Sequence, residues 1–456
     1  MSNNIIKKII GFLFLSISFS AYLENIPIRL YQPDGSSINC LATGDEFYSR
    51  LHDSDNYTIV QNSADGYYYY AIKNNNKIVP SIFKVGDTSS RDFISENIKI
   101  NKEEYLFRRN LFKEGRDRRD APTFGTINNI NIFIRFSDEE EFAFPRSSYD
   151  WQFNSEDGPS LNHYFLEVSN NNLEVNTLHY PDCDMDQNLS YQDFYPRSYY
   201  QLHHPQTNPN GYFECPQWHE ADSEINCDEI DSSQWRSYRE HMLLKNAVDF
   251  IEFEVPDDLD VDANDDGYVD NVTFLINGSP AGWSDLLWPH RWSLYLYDAY
   301  INGALVDGYN VNMSSGGYFT VGVLCHEFGH SLGAPDFYRY YDDSTIPLGE
   351  WDIMAHNTSP NPQYPSAWVQ YRYFDWIDCP HIMESGTYEL NALTDHENHC
   401  YLVDSPNSDK EHFILEYRKH SGLYDSNLPG NYNGMLVYRI NLDINRNNII
   451  DTLENE

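Results

Sequence analysis

Positive charge is scarce in this chain. Its 30 lysines and arginines stand against 70 aspartates and glutamates, a formal net charge of -40. That excess argues against nucleic acid or an anionic membrane surface as partner, because phosphates are repelled at long range. It suits a soluble protein that holds hard cations. Long apolar runs are scarce too. Residues 9–19 form one, shorter than the about 20 residues that cross a bilayer, so no membrane span is expected in the mature form. No internal repeat marks a solenoid or propeller. No C-x-x-C pair occurs, which leaves no zinc-ribbon or redox motif.

What is present argues for a folded, exported protein. The chain is 41% hydrophobic and 15% aromatic, enough to fill a core and too much for overall disorder. Its 456 residues predict two or three domains. Lys7 and Lys8 precede the apolar run, and Ser18, Ser20 and Ala21 follow, the layout of a secretory signal cut after Ser20 or Ala21. The expected location is extracellular. With 7 cysteines, at least one is unpaired or pairs between chains. Cys215 with Cys227 and Cys379 with Cys400 are the closest pairs, either able to close a loop, and Cys40, Cys183 and Cys325 remain. Sequons at Asn56, Asn188, Asn271, Asn312 and Asn357 matter only in a host that glycosylates.

Composition divides the chain. Residues 21–100 read as short strands (28–31, 57–61, 67–72) with a turn at Pro33-Asp34-Gly35. Residues 101–120 form a basic island, with Lys102, Arg108, Arg109, Lys113, Arg116, Arg118 and Arg119, which a trypsin-like enzyme would cut. Residues 127–136 read as a strand entering a new domain, and 386–390, 412–417 and 435–440 as later strands. The expected organisation is a signal at 1–20, a propeptide with its basic linker at 21–120, a catalytic domain at 121–377 and a β-rich subdomain at 378–456.

The strongest signal is VGVLCHEFGHSLGAPDFYRY at 321–340. Val321, Leu324, Cys325, Phe328 and Leu332 fall near helical spacing, which predicts a largely buried helix. His326 and His330, four apart, project from one face and can chelate one zinc ion. Glu327 sits beside the metal without binding it, where it can take a proton from water. Gly333 can adopt positive φ and end the helix in a sharp turn, letting Asp336 return as third ligand. Three protein ligands and one open position mark a catalytic zinc site. Glu350 is the other candidate for the third ligand.

H-E-x-x-H-x-x-G-x-x-D resembles the metzincin peptidases, and HEFGHSLGAPDFY the immune inhibitor A-type family of secreted metalloproteases. GEWDIM at 349–354 is similar to that family's Met-turn, which implies Met354 as an apolar floor beneath the zinc. PSAWVQYRYFDW at 365–376 resembles the helix that follows it. GTINNINIFIRFSD at 125–138 resembles the first catalytic strand, the stretch at 31–71 the propeptide, and HFILEYRKHSGLYDSNLPG at 412–430 the β-rich segment after the catalytic domain. The resemblance implies a protease acting on proteins or peptides, silenced by its own propeptide until cut near 101–120. Propeptides of metzincins often block the zinc with a thiolate or carboxylate, for which Cys40 and Asp45 are alternatives; a disulfide role for Cys40 stays open. His356 and Tyr338 are weaker candidates for a transition-state hydrogen bond.

A second metal is expected at DVDANDDGYVDN. Asp262, Asn264, Asp266 and Asp270 stand at the spacing of a calcium loop, with Gly267 in the turn and the Tyr268 carbonyl as a further oxygen. Asp443, Asn445, Asn447 and Asp451, and Asp182, Asp184 and Asp186, are looser copies. The expected fold class is α+β: a β-rich pro-domain, a catalytic twisted sheet with its zinc helix, and a β-rich appendage. Two other readings stay open, a calcium-stabilised surface or adhesion protein with an inactive peptidase-like domain and a non-proteolytic zinc hydrolase.

Overall fold

The computed structural model describes residues 23–441 except 46–47, 63, 75–76, 87–93, 103, 106–120, 214–234, 280–286, 316–317, 339–346, 357–360, 396, 409 and 431–432. The proposed signal, most of the basic island, Cys215, Cys227, Asn357 and the acidic positions after 442 lie outside these residues.

Six antiparallel strands follow one another in sheet order: β1 (Leu23–Tyr31), β2 (Ser37–Gly44), β3 (Ser49–His52), β4 (Thr58–Gln61), β5 (Tyr68–Asn74) and β6 (Lys77–Lys84). Local chemistry sets the first hairpin. Asp34 accepts hydrogen bonds from the Ser36 backbone N–H and hydroxyl at 2.9 and 2.6 Å, and Gly35 takes the positive φ of the turn. β2 alternates exposed and buried positions along its first half, the mark of a sheet with one face on a core.

The second sheet runs β11-β14-β10-β7-β8, with the short β9 (Tyr191–Gln192) beside β7. β7 (Gly125–Arg135), β8 (Leu173–Tyr180), β10 (Val272–Ile276) and β14 (Gly308–Met313) are parallel neighbours, and β11 (His290–Ser293) closes the edge antiparallel to β14. β10 and β14 are buried at every position, as parallel strands covered on both faces must be. A small hairpin, β12 (Tyr300–Ile301) with β13 (Ala304–Leu305), precedes β14.

Two apolar clusters sandwich this sheet. On one face Ile130, Ile132 and Ile134 of β7 pack with α3 (Arg236–Ile251) and with Ile26, Leu30 and Cys40 of the N-terminal sheet. On the other, Phe133 and Leu275 pack with α1 (Arg146–Asn154), α2 (Leu161–Val168) and α4 (Val321–Ser331). That second cluster also holds Cys400, Leu402, Ile414 and Ile440, from the three-stranded sheet β15 (Cys400–Asp404), β16 (Glu411–Arg418) and β17 (Gly434–Asn441). The class is mixed α and β. The N-terminal sheet and the C-terminal sheet each share a core with the central sheet instead of standing apart from it.

Some expectations need correction. Residues 386–390 form no strand: they are largely exposed, and no neighbouring strand offers them a ladder. The segment at 365–376 folds as a short α5 (Ala367–Val369), capped by the Ser366 hydroxyl, that widens into a π turn over Gln370–Phe374. Asn271 and Asn312 are fully buried in the sheet, so neither can carry a glycan in the folded chain. Among the described cysteines, Cys379 and Cys400 form a disulfide, while Cys40, Cys183 and Cys325 are free. No helix of the described residues is long and apolar enough to cross a membrane.

The buried guanidinium of Arg418 ties the C-terminal sheet to the rest. It donates to Asp425 at 2.7 and 3.0 Å, to Glu416 at 3.3 Å and to the Trp351 carbonyl at 2.7 Å. Arg418→Ala leaves two buried carboxylates without their cation. The expected loss is about 3–5 kcal/mol of stability, measured by denaturant unfolding.

Candidate metal centre

Helix α4 starts where the Thr320 hydroxyl caps the Val323 N–H at 3.3 Å. It is buried at almost every position, so its polar residues must point at partners or at a site. A ladder of buried amides fixes its far end to the central sheet. Asn129 donates to Thr177 at 3.0 Å, Asn271 to Asn129 at 2.7 Å, and Asn310 to Asn271 at 3.1 Å. Ser331 closes the chain onto the Asn271 oxygen at 2.6 Å. The Ala121 N–H meets the Ser331 carbonyl at 3.3 Å, so the start of the expected catalytic region lies against this helix end.

Backbone carbonyls orient both histidines. His326 donates from Nδ1 to the Ile353 carbonyl at 2.8 Å, and His330 from Nδ1 to the Ala334 carbonyl at 2.7 Å. A carbonyl can only accept, so each Nδ1 carries a proton, and in the neutral ring Nε2 presents a lone pair. The two Nε2 atoms lie 3.0 Å apart. Past the helix, Gly333 at φ +96 turns the chain back, and Asp336 Oδ1 arrives 3.0 Å from His326 Nε2 and 3.3 Å from His330 Nε2. Three electron pairs thus converge on one point.

Such a cluster demands positive charge at its centre. Burial disfavours the charged His326 imidazole, but the hydrogen bond and charge of Asp336 outweigh it and raise it to about 9. Asp336 is held well below the usual carboxylate range: burial opposes this, and His330 and His326 prevail. A zinc ion meets the same demand. Ligands at about 2.0–2.1 Å in a tetrahedron stand about 3.3 Å from one another, close to the observed separations.

Glu327 is buried beside this point, and among the described residues neither carboxylate oxygen has a hydrogen-bond partner. Burial pushes its carboxyl up, against the pull of His326 and His330. Met354 lies under the helix: a Cβ built on Gly329 would stand 2.7 Å from its sulfur, so only glycine lets the two segments approach so closely. Phe337 N–H bonds the Met354 carbonyl at 2.7 Å. His356 is buried, and burial with the charge of His326 lowers its imidazole to about 4. Tyr338 is buried as well. Glu350 is partly exposed in the short turn Gly349–Trp351 and does not join the cluster.

Other expected site residues are placed elsewhere. Cys40 is buried in the core shared with Trp288 and Tyr318, and burial pushes its thiol up to about 12, which disfavours a metal-binding thiolate. Asp45 accepts from the Tyr105 hydroxyl and the Tyr48 N–H, both at 2.8 Å. Neither belongs to the metal-ligand groups found among the described residues.

In the acidic loop, Asp262 accepts from the N–H groups of Asp266 at 2.9 Å and Gly267 at 2.7 Å. Gly267 takes φ +89, and the exposed Asn264 and Asp266 accept from the N–H groups of Asp266 at 3.1 Å and Tyr268 at 3.0 Å. Asp270 is buried. Its Oδ2 accepts from Ala263 at 2.9 Å, and Oδ1 has no partner among the described residues. Burial, with Asp262, Asp260 and Asp266, pushes its carboxyl up to about 7. These carboxylates do not form a tight ligand group among the described residues. Asp184 and Asp186 are exposed, with Asp182 N–H bonded to Glu254.

His326, His330 and Asp336 form a group that could hold a metal ion. Residues 236–360, from the start of α3 to just beyond Met354, match the family model of the immune inhibitor A peptidase M6 catalytic domain. Through this stretch the chain resembles the catalytic domain of the immune inhibitor A peptidases. One relative is immune inhibitor A of Bacillus thuringiensis subsp. alesti, 31% identical over 135 residues, or 25% of this chain and 20% of that one. The match thus spans a fifth of that relative's length, and the resemblances at 31–71, 125–138, 365–376 and 412–430 lie outside 236–360.

Sequence reasoning missed the amide ladder, because Asn129, Asn271 and Ser331 carry no motif and meet only through strand register. Gly333→Ala puts a Cβ on a left-handed backbone; the expected cost is about 1–2 kcal/mol, read as a lower denaturant midpoint.

Proposed function

We propose that the chain is a secreted zinc-dependent endopeptidase, made as a precursor, that hydrolyses peptide bonds of proteins. The observation that carries this reading is the convergence of His326 Nε2, His330 Nε2 and Asp336 Oδ1 within 3.0–3.3 Å of one another. Three protein ligands leave one position of a tetrahedral ion for substrate or water, unlike a closed structural site.

A bound zinc ion supplies Lewis acidity toward a carbonyl and makes water acidic enough to be deprotonated near neutrality. His326, His330 and Asp336 hold that ion, with the Ile353 and Ala334 carbonyls fixing the rings. Glu327 takes the proton of the attacking water and delivers it to the departing amine. Its buried, unpartnered carboxylate favours both steps: it competes with no other donor, and burial brings its proton affinity closer to neutrality.

Export is supported by the signal-like residues 1–21 and by the Cys379–Cys400 disulfide, a bond of oxidising compartments. A precursor is supported by the core that the N-terminal sheet shares with the catalytic sheet and by the basic run that follows it. The propeptide then acts as a docked inhibitor, and neither Cys40 nor Asp45 is needed as metal blocker. Calcium in the loop at 262–270 is supported by its oxygen order and by the Asp270 carboxylate, which a cation would neutralise.

Protein cut before about Ala121 is incubated with a denatured protein substrate, beside Glu327→Ala and a chelated sample. Cleavage by wild type alone, restored to the chelated sample by zinc, is expected. Asp336→Ala should lose zinc while Glu327→Ala retains it. No cleavage by any sample would sink the protease reading in favour of a binding protein. For calcium, chelation should lower the melting temperature of wild type and not of Asp270→Asn; equal melting with and without calcium would refute that site.

A further inference from the structure

We infer that the C-terminal sheet carries a second transition-metal site, formed by His381, Asp404 and His412. His381 Nδ1 lies 3.0 Å and His412 Nδ1 2.8 Å from the same oxygen of Asp404. One ligand atom from each residue lies within 4.8 Å of the other two. The imidazoles stand edge to face, centroids 5.7 Å apart, so both rings aim at the carboxylate without stacking on each other.

The frame beneath these side chains is fixed by backbone, which makes the convergence more than a chance meeting of mobile groups. Asp404 and His412 are direct cross-strand partners in β15 and β16. His381 bridges Leu402, where the Ile382 N–H bonds the Leu402 carbonyl at 2.8 Å and the Leu402 N–H the Pro380 carbonyl at 3.0 Å. Two residues before His381, the disulfide joins Cys379 to Cys400 at the start of β15. Three stretches of chain are thereby locked side by side, each contributing one ligand.

The donor set selects the ion. Two imidazole nitrogens and one carboxylate oxygen suit Zn2+ and its borderline neighbours, whereas calcium and magnesium prefer oxygen alone. Asp404 is exposed, so solvent screens and weakens its ion pairs with the two rings. A surface recess lined by Asp404, Ser405, Pro406, Asn407, Ser408 and His412 opens beside the cluster, giving the ion an entry path and room for water as a fourth ligand. The strongly acidic chain favours cations there. The ion staples the 379–382 segment to the β15–β16 hairpin, apart from the cluster on α4 and independent of whether that cluster is catalytic.

The test is zinc content of the full chain after dialysis against micromolar zinc, with unbound metal removed. His381→Asn and His412→Ala should each hold one zinc per chain fewer than wild type. His399→Ala, at a half-buried histidine bonded instead to the Asp395 carbonyl, should hold as much as wild type. The same loss is expected in a His326→Ala background, which removes a ligand of the α4 cluster. Zinc should also raise the melting temperature of His326→Ala more than that of His326→Ala with His412→Ala. Unchanged zinc content in the His381 and His412 variants overturns the proposal. So does a loss seen only when His326 is intact, because the zinc counted would then belong to α4.

Discussion

Two imidazole lone pairs and a carboxylate oxygen that face one another at about 3 Å repel unless a cation or proton lies among them. Much of the surrounding architecture keeps them there. The Ile353 and Ala334 carbonyls orient the rings, Gly333 bends the chain to deliver Asp336, and Gly329 lets Met354 close from beneath. A buried helix can carry such a concentration of polar groups only if its ends are fixed. The Thr320 cap and the Ser331 bond to Asn271 do this.

The amide ladder extends that constraint across the molecule. Asn271 sits at the head of β10, next to Asp270 of the acidic loop, and accepts from Ser331 of the metal helix. Asn129 and Asn310 join it from the strands on either side. Each amide in this layer is desolvated, so each hydrogen bond is costly to leave unmade. A sheet that could otherwise slip in register is thereby pinned to one alignment, and the metal helix with it.

The two flanking sheets extend the central core in different ways. The N-terminal sheet contributes apolar faces to the cluster over β7 and α3. The C-terminal sheet is tied in by charge as well: Arg418 reaches Asp425, Glu416 and the carbonyl of Trp351, three residues before Met354. It therefore buttresses the turn beneath the metal cluster.

The metal helix, its glycine turn and the returning aspartate were legible in the sequence because their geometry is local. Helical periodicity puts positions four apart on one face, and glycine permits the left-handed turn, whatever the rest of the fold does. The same held for the hairpin at Asp34 and Gly35 and for the strands β7, β16 and β17. Long-range questions were not legible. That residues 386–390 find no strand partner, that Cys40 is sealed in a core, and that Asn271 and Asn312 are buried beneath their sequons depend on which surfaces meet. His381, Asp404 and His412 converge through strand register and a disulfide, not through spacing. Sequence alone determined the side chains that one helix and one turn can gather; tertiary packing decided everything that required two distant segments to share a face.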